Sequence, residues 1–420
     1  MNSKRLTAPL AYTAFITFFT IACGSQGGTG PRFDAEIAKV QSTANNEMAL
    51  RMYEAVSEQS PDINICPLSM ELILGSLYEL SGEDQKSLIA DLIDDAATST
   101  PAATRFHHWT GLLQSNTSTN LYAANGFWLN EELPLSADVP TLKPYLTSLR
   151  HTSFAPSESL INEINVWIDS TTNANIENVL APGSLDEDSK FIGASGTFFD
   201  GSWTQKFNAS LTEEDTFYDE SSNPLGNATF MSQTIEVPYL ESGSLDATIL
   251  SLQFGSDEGD YSLVIAIPNG TLAALEQSIS QTTFEETLSE LEKVEPTLLS
   301  LSLPKWQSVT TIDFRDLLVS MDLGSIFEET ADYSSMTAEP VALTALFHKS
   351  IFRVAEGGTH DDGTEDTTQI DNGALDVKVN RPFLYFLVHG PTNSIIFMGR
   401  QKTVESFVVQ KLGPNQQRGR

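Results

Sequence analysis

"EGGTHDDGTEDTTQIDNGALD", residues 356–376, holds seven acidic residues, four glycines and no Lys or Arg. Upstream, "VALTALFHKSIFRVA" (341–355) carries apolar side chains at Val341, Leu343, Ala345, Phe347, Ile351 and Phe352. Downstream, "VNRPFLYFLVHGPTNSIIFMGR" (379–400) is rich in Phe, Leu, Ile and Val. Both flanks predict buried strands. Connections longer than ~12–15 residues with no structure of their own are uncommon unless functional or disordered. An acidic connection of about twenty residues between two strongly apolar strands is therefore what any fold of this chain must explain.

The chain has 420 residues, 40% of them apolar, with 23 Phe and 5 Trp as bulky core material. That suffices for a sizeable core. Net charge is −33, from 23 Lys+Arg against 56 Asp+Glu spread along the chain. Such a surface repels nucleic acid and anionic lipid, which excludes DNA and RNA as expected partners. It serves solubility, or attracts a basic partner.

The N-terminus, "MNSKRLTAPLAYTAFITFFTIAC", places Lys4 and Arg5 before an apolar stretch that ends at Cys23. This pattern is a secretory signal, shorter and more broken than a spanning helix requires. "TIAC" followed by "GSQGGTG" resembles a bacterial lipobox, although Thr20 stands where an aliphatic residue is usual. The expectation is a signal peptide over 1–22, lipidation at Cys23, and a flexible tether over 23–41. The protein is then exported and lipid-anchored at the cell envelope, or alternatively secreted. Cys66 is the only other cysteine, so the fold rests on its core rather than on disulfides.

Apolar spacing predicts a helix over 42–56, a short strand and then a helix from about 63 to 81 with Ser69 as N-cap, and a short helix in "QKSLIADLI". "NLYAANGFWLN" reads as a strand. "SLINEINVWIDSTTNANIENVL" reads as an amphipathic helix with Leu160, Ile161, Ile164, Trp167 and Ile168 on one stripe. From 190 onward strands dominate, interrupted by helices over 271–292 and 312–322. Helices first and strands later, with no composition break, predict a single α+β domain.

No enzyme constellation emerges. "GASGT" (193–197) lacks the spacing of a nucleophile elbow, and phosphate-loop and dinucleotide fingerprints are missing. The six histidines form no HExxH helix, and "DDGTED" lacks the order of a calcium loop. Neither a metal nor a cofactor is expected.

The ordered blocks do point to a family. "NICPLSMELILGSLYELSG", "INEINVWIDSTTNANIENVLAPGSLDEDS", "TFFDGSWTQKFNASLTEEDTFY", "FMSQT", "LSLPKW", "DLLVSMDLGSIFEETADYSSM", "FHKSIFRVAEGGT" and "RPFLYFLVHGPTNSIIFMGR" occur in this order and resemble the blocks of serpins over 42–406. The resemblance implies an α+β serpin fold with a large central mixed sheet, further sheets, about eight or nine helices and an exposed reactive-centre loop over about 356–380. Residues 407–420 would be a tail.

In that family the loop is protease bait, and after cleavage its front half inserts into the central sheet as a new strand. The resemblance implies a monomeric suicide-substrate inhibitor, not an enzyme, whose partner is a serine or cysteine endopeptidase. Membrane contact would come only through the N-terminal lipid. The family's spacing puts the cleaved bond at Asn372–Gly373. It makes Gly358, Thr359, Asp361, Gly363 and Glu365 the hinge, and Ser69, Ser195 and His348 the polar cluster where the sheet opens. Two departures stand out. Cys66 and Ser195 replace a usual Ser and Asn. Asp361 and Glu365 fall in the inward row of the inserting strand, where small residues are usual and an unpaired carboxylate is costly. They motivate an alternative, a non-inhibitory serpin that binds or is simply cut.

Overall fold

The computed structural model describes residues 33–93, 98–115, 118–255, 261–364 and 373–404. Helix α1 (Ala35–Val56) starts seven residues ahead of the expected 42, because the Asp34 carboxylate accepts from the Glu36 and Ile37 amides. The segment expected as tether therefore gives way to helix from Ala35 onward. Met48, Met52, Tyr53 and Val56 are buried on one side of α1. Ser42, Asn45 and Asn46 donate to the carbonyls of Thr392, Ile395 and Asn393, fixing the helix to a distant hairpin.

Strand β1 (Ile63–Ile65) leads into α2 (Pro67–Leu80), whose start is set by Pro67 after Cys66. Ser69 is thus inside the first turn and not the N-cap. Helices α3 (Glu83–Ala90) and α4 (Ala102–Leu113) follow, then β2 (Thr119–Asn130), β3 (Thr147–Thr152) and α5 (Ser157–Thr171). The remaining strands are β4 (Phe191–Gly201), β5 (Glu213–Tyr218), β6 (Pro224–Val237), β7 (Tyr239–Ser242), β8 (Ala247–Phe254) and β9 (Tyr261–Pro268). The region expected as one helix over 271–292 divides into α6 (Leu272–Ser278) and α7 (Gln281–Leu291), because Ser280 and Thr283 form a capping box that starts a second helix. Then come β10 (Thr297–Pro304), β11 (Trp306–Asp313), α8 (Phe314–Ser320), β12 (Ala345–Val354), β13 (Leu375–Lys378), β14 (Phe383–His389) and β15 (Ser394–Gln401).

The strands form three sheets, ordered β1-β15-β14-β9-β8-β7, β13-β10-β6-β5 and β11-β12-β4-β2-β3. With eight α-helices among the described residues, this is the α+β architecture expected. The last sheet is mixed: β12 with β4 and β2 with β3 are parallel, while β11 with β12 and β4 with β2 are antiparallel. Its central strand β4 is buried along almost its whole length. One face carries Phe191 and Phe199 into the main core, and the other carries Ile192, Ala194 and Phe198 under α5. Leu160, Ile161, Ile164 and Ile168 of α5 lie against that second face, while Trp167 sits at its margin edge-on to Trp128. Gly196 allows the close crossing: a Cβ there would stand 2.6 Å from Ile168 Cγ2.

Candidate functional site

Strands β12 and β4 are neighbours and parallel, with Ala345 opposite Ile192 through to Ile351 opposite Phe198. Parallel neighbours are joined by long connections, and a strand placed between two of them can run antiparallel to both. The acidic loop leaves β12 after Val354, at the end of this seam, and a chain turning back there enters it in the antiparallel sense.

A row of polar side chains crosses the seam on the core side. His348 on β12 is opposite Ser195 on β4, and Ser195 is opposite Asn125 on β2. Ser195 Oγ donates to Asn125 Oδ1 at 2.8 Å, and His348 Nδ1 lies 3.2 Å from Ser195 Oγ. Because the serine proton is directed to Asn125, the imidazole proton belongs on Nδ1. Burial lowers the His348 pKa to about 3, so the ring is neutral. It stacks on Phe314 at 4.6 Å, and its Nε2 has no hydrogen-bond partner among the described residues. Two residues along β4, on the same face, Thr197 shares a 2.5 Å hydrogen bond with Ser69, which donates to Cys66 Sγ at 3.3 Å. Burial pushes the Cys66 thiol up to about 11, leaving it an unreactive core group. The structure thus places the three cluster residues expected from sequence under the seam, at Ser195 and, through Thr197, two residues further along β4.

The front of the loop is docked, not free. Thr359 is fully buried. Its N–H donates to Gly201 O at 2.9 Å, and its Oγ1 accepts from the Gly201 N–H at 3.1 Å. Gly358 adopts φ +124°, and a Cβ there would lie 2.2 Å from Gly201 O, so only glycine fits. Trp203 donates its backbone N–H to Gly357 O and its indole N–H to Ala355 O, while stacking on Phe254 at 3.9 Å.

Charge completes the docking. Lys305, at the junction of β10 and β11, places Nζ 2.7 Å from Glu356 Oε2 and 2.8 Å from Asp361 Oδ1. Burial alone would lower the Lys305 ammonium, but the Asp361 and Glu356 carboxylates outweigh it and hold it above its ordinary value. Lys206 pairs with Asp362 at 2.9 Å. His360 Nε2 lies 2.6 Å from Asp200 Oδ1, and this bond raises the imidazole above its ordinary value against the opposing effect of burial.

After Asp361 the chain turns from β4 and runs beside 207–209. The Thr364 N–H donates to Phe207 O and the Ala209 N–H donates to Thr364 O. Gly363, expected in the inward row, instead lies where a Cβ would be 2.6 Å from Phe207 O. The loop expected over about 356–380 is therefore buried at its front, and its last part is the edge strand β13, paired in parallel with β10. Gly373 is exposed at φ +93° with open space where a side chain would project. Asn372, Glu365 and Cys23 lie outside the described residues.

Sequence reasoning missed Asn125, Thr197, Asp200, Trp203, Lys206 and Lys305. An Asn inside an apolar strand was a usable signal for Asn125. Nothing local marked Lys305, whose partners are 51 and 56 positions away, from 305 to 356 and 361.

Three comparisons bear on this arrangement. The Serpin family model, described as serine protease inhibitor, matches residues 43–403. Human Serpin B3 is 29% identical over 61% of this chain and 67% of its own length. Serpin B10 of Otolemur garnettii is 32% identical over 58% of this chain and 62% of its own length. Among solved structures, human glycosylated kallistatin aligns with TM-score 0.78 at 22% identity, covering 88% of this chain and 99% of that one. Human thyroxine-binding globulin aligns with TM-score 0.77 at 20% identity over 87% and 100% of the two chains. Those identities speak to the fold alone. A mixed central sheet with a parallel seam, a long acidic loop anchored at its mouth and a family match across nearly all of the described chain converge: the protein belongs to the serpin family.

Proposed function

We propose that the protein inhibits endopeptidases as a suicide substrate, and that β12 and β4 part to receive the cleaved loop. The observation that carries this reading is the loop front: Thr359 is already hydrogen-bonded to the end of β4, at the mouth of a parallel seam. A protease hydroxyl or thiol adds to the carbonyl carbon of Asn372, the peptide C–N bond breaks, and the nucleophile's proton leaves on the Gly373 amine. The acyl-linked enzyme stays on the front half. That half enters the seam and gains ladder bonds to two strands at once. On the order of ten residues at ~0.5–1.5 kcal/mol net per hydrogen bond supply the drive.

The test is mixing with serine and cysteine endopeptidases, followed by denaturing separation. The expected result is a covalent complex of protease with the chain cut after Asn372. A loop that is cut with no complex and no gain in heat stability would favour the second reading, a non-inhibitory serpin. That reading draws support from Asp361, a carboxylate in the inserting row held by Lys305. The proposal includes export and a lipid on Cys23. Cys23→Ala should then move the protein from the membrane fraction to the medium.

A further inference from the structure

Two isolated bridges fix how an inserting strand would register. Ser202 is opposite Gly358 and Ala355 is opposite Gly358, both antiparallel. Continued residue by residue, both ladders agree. Gly201 meets Thr359 and Asp200 meets His360, and both of these contacts already exist. The next rung puts Asp361 opposite Phe199 on one side and Phe352 on the other. This is the rung at which the chain departs from β4 and Asp361 turns to Lys305 instead.

The slot at that rung is aromatic. Phe199 and Phe352 are fully buried in the main core. Phe199 packs on Phe254 and Tyr261, each at 5.0 Å, and Phe352 packs on Tyr385 at 5.6 Å and Phe397 at 5.3 Å. The ionisable groups behind these rings are the Tyr261 hydroxyl, which donates to Leu113 O, the buried His389 imidazole 5.0 Å from the Tyr261 ring, and the Tyr385 hydroxyl, which donates to Asn64 Oδ1. Around the present position of Asp361 stand Lys305, Glu356 and Arg353, with His360 and Asp362 beside it in the loop and Lys206 on Asp362. Insertion would exchange an ammonium contact for phenyl rings, and a carboxylate in such a place must take a proton.

We propose that Asp361 makes completion of the sheet proton-dependent, so that this serpin traps proteases in acidic surroundings and is cut as an ordinary substrate at neutral pH. The proposal rests on the inhibitor reading. The inserted state holds one proton more than the native state. Lower pH therefore favours insertion, tenfold in the equilibrium constant per pH unit wherever the native carboxylate is charged and the inserted one is not. His360 adds nothing to this dependence: its bond to Asp200 is retained in the projected register, so its proton occupancy is the same before and after insertion.

The experiment uses the full chain cut within the loop beyond Thr364, the position verified by mass. Cut and intact protein are melted at about pH 4.5 and about pH 7.5. For the wild type, cutting should raise Tm at the acid pH and leave it nearly unchanged at the neutral one. Asp361→Ala and Asp361→Asn should gain at both. Glu365, the other acid of the inward row, falls in the same register on the polar rung of Ser195 and His348 rather than on rings, so Glu365→Ala should keep the wild-type pH dependence. A wild-type gain at neutral pH equal to that of Asp361→Ala overturns the proton gate and leaves the inhibitor reading standing. So does a pH dependence abolished by Glu365→Ala and not by Asp361→Ala. If no form gains at either pH, the gate and the inhibitor reading fall together.

Discussion

Lys305 shows how a single cation organises an acidic chain. Its side chain is 14% exposed and that of Glu356 only 6%, so their contact is shielded from solvent and salt. Glu356 also accepts from Thr212 Oγ1 at 2.8 Å, which fixes the carboxylate in place. Lys305→Met leaves that carboxylate buried without its ammonium, and should lower unfolding free energy by about 3 kcal/mol in a denaturant titration. His360 makes a different prediction. Its folded pKa lies above the ordinary imidazole value, so its contribution is full below that value and is lost as pH rises through the raised one. Hydrogen exchange at the Thr359 amide, corrected for intrinsic rate, should therefore quicken as pH climbs past neutrality. In His360→Ala the amide should exchange fast throughout, with that dependence gone.

At the level of elements, α5 and the central sheet form a tight crossing. The closest point is Ile168 over Gly196, so Gly196→Val forces the helix outward and should cost about 1–3 kcal/mol, read as a lower Tm with unchanged secondary structure. The apolar stripe of α5 was legible because four of its five predicted members do face the sheet. Its end was not: the helix stops at Thr171, because Asn173 and Ala174 take left-handed backbone, which polar composition alone does not announce. Strand β11 was also hidden. "WQSVTTID" alternates, yet Val309 and Thr311 are exposed and the half-buried Thr310 is polar, so apolar content gave no alarm. His348, Ser195 and Ser69 were found through resemblance to a family. Their partners Asn125 and Thr197, and the cations that hold the loop, depend on pairings between distant strands that no local pattern encodes.

For the whole molecule, a net charge of −33 works against the folded state through self-repulsion. Raising salt from about 10 mM to about 500 mM should raise Tm, since exposed like charges are screened at those ionic strengths. The loss caused by Lys305→Met should change little over the same range, because its partner is sheltered. A melting series in both proteins tests the pair of statements. If salt instead erased the Lys305→Met difference, that contact would be solvent-screened like any surface pair.

Strand β13 fastens the loop at its back by pairing with β10, and directly beyond it β14 lies in the middle of another sheet, between β15 and β9. A severed loop therefore sheds no fragment: both pieces remain woven into one particle, each indispensable to the other's interior. Gel filtration of the nicked protein would register nothing, and a worker relying on it would score a fully processed sample as untouched. Only unfolding the chain reveals that it has become two.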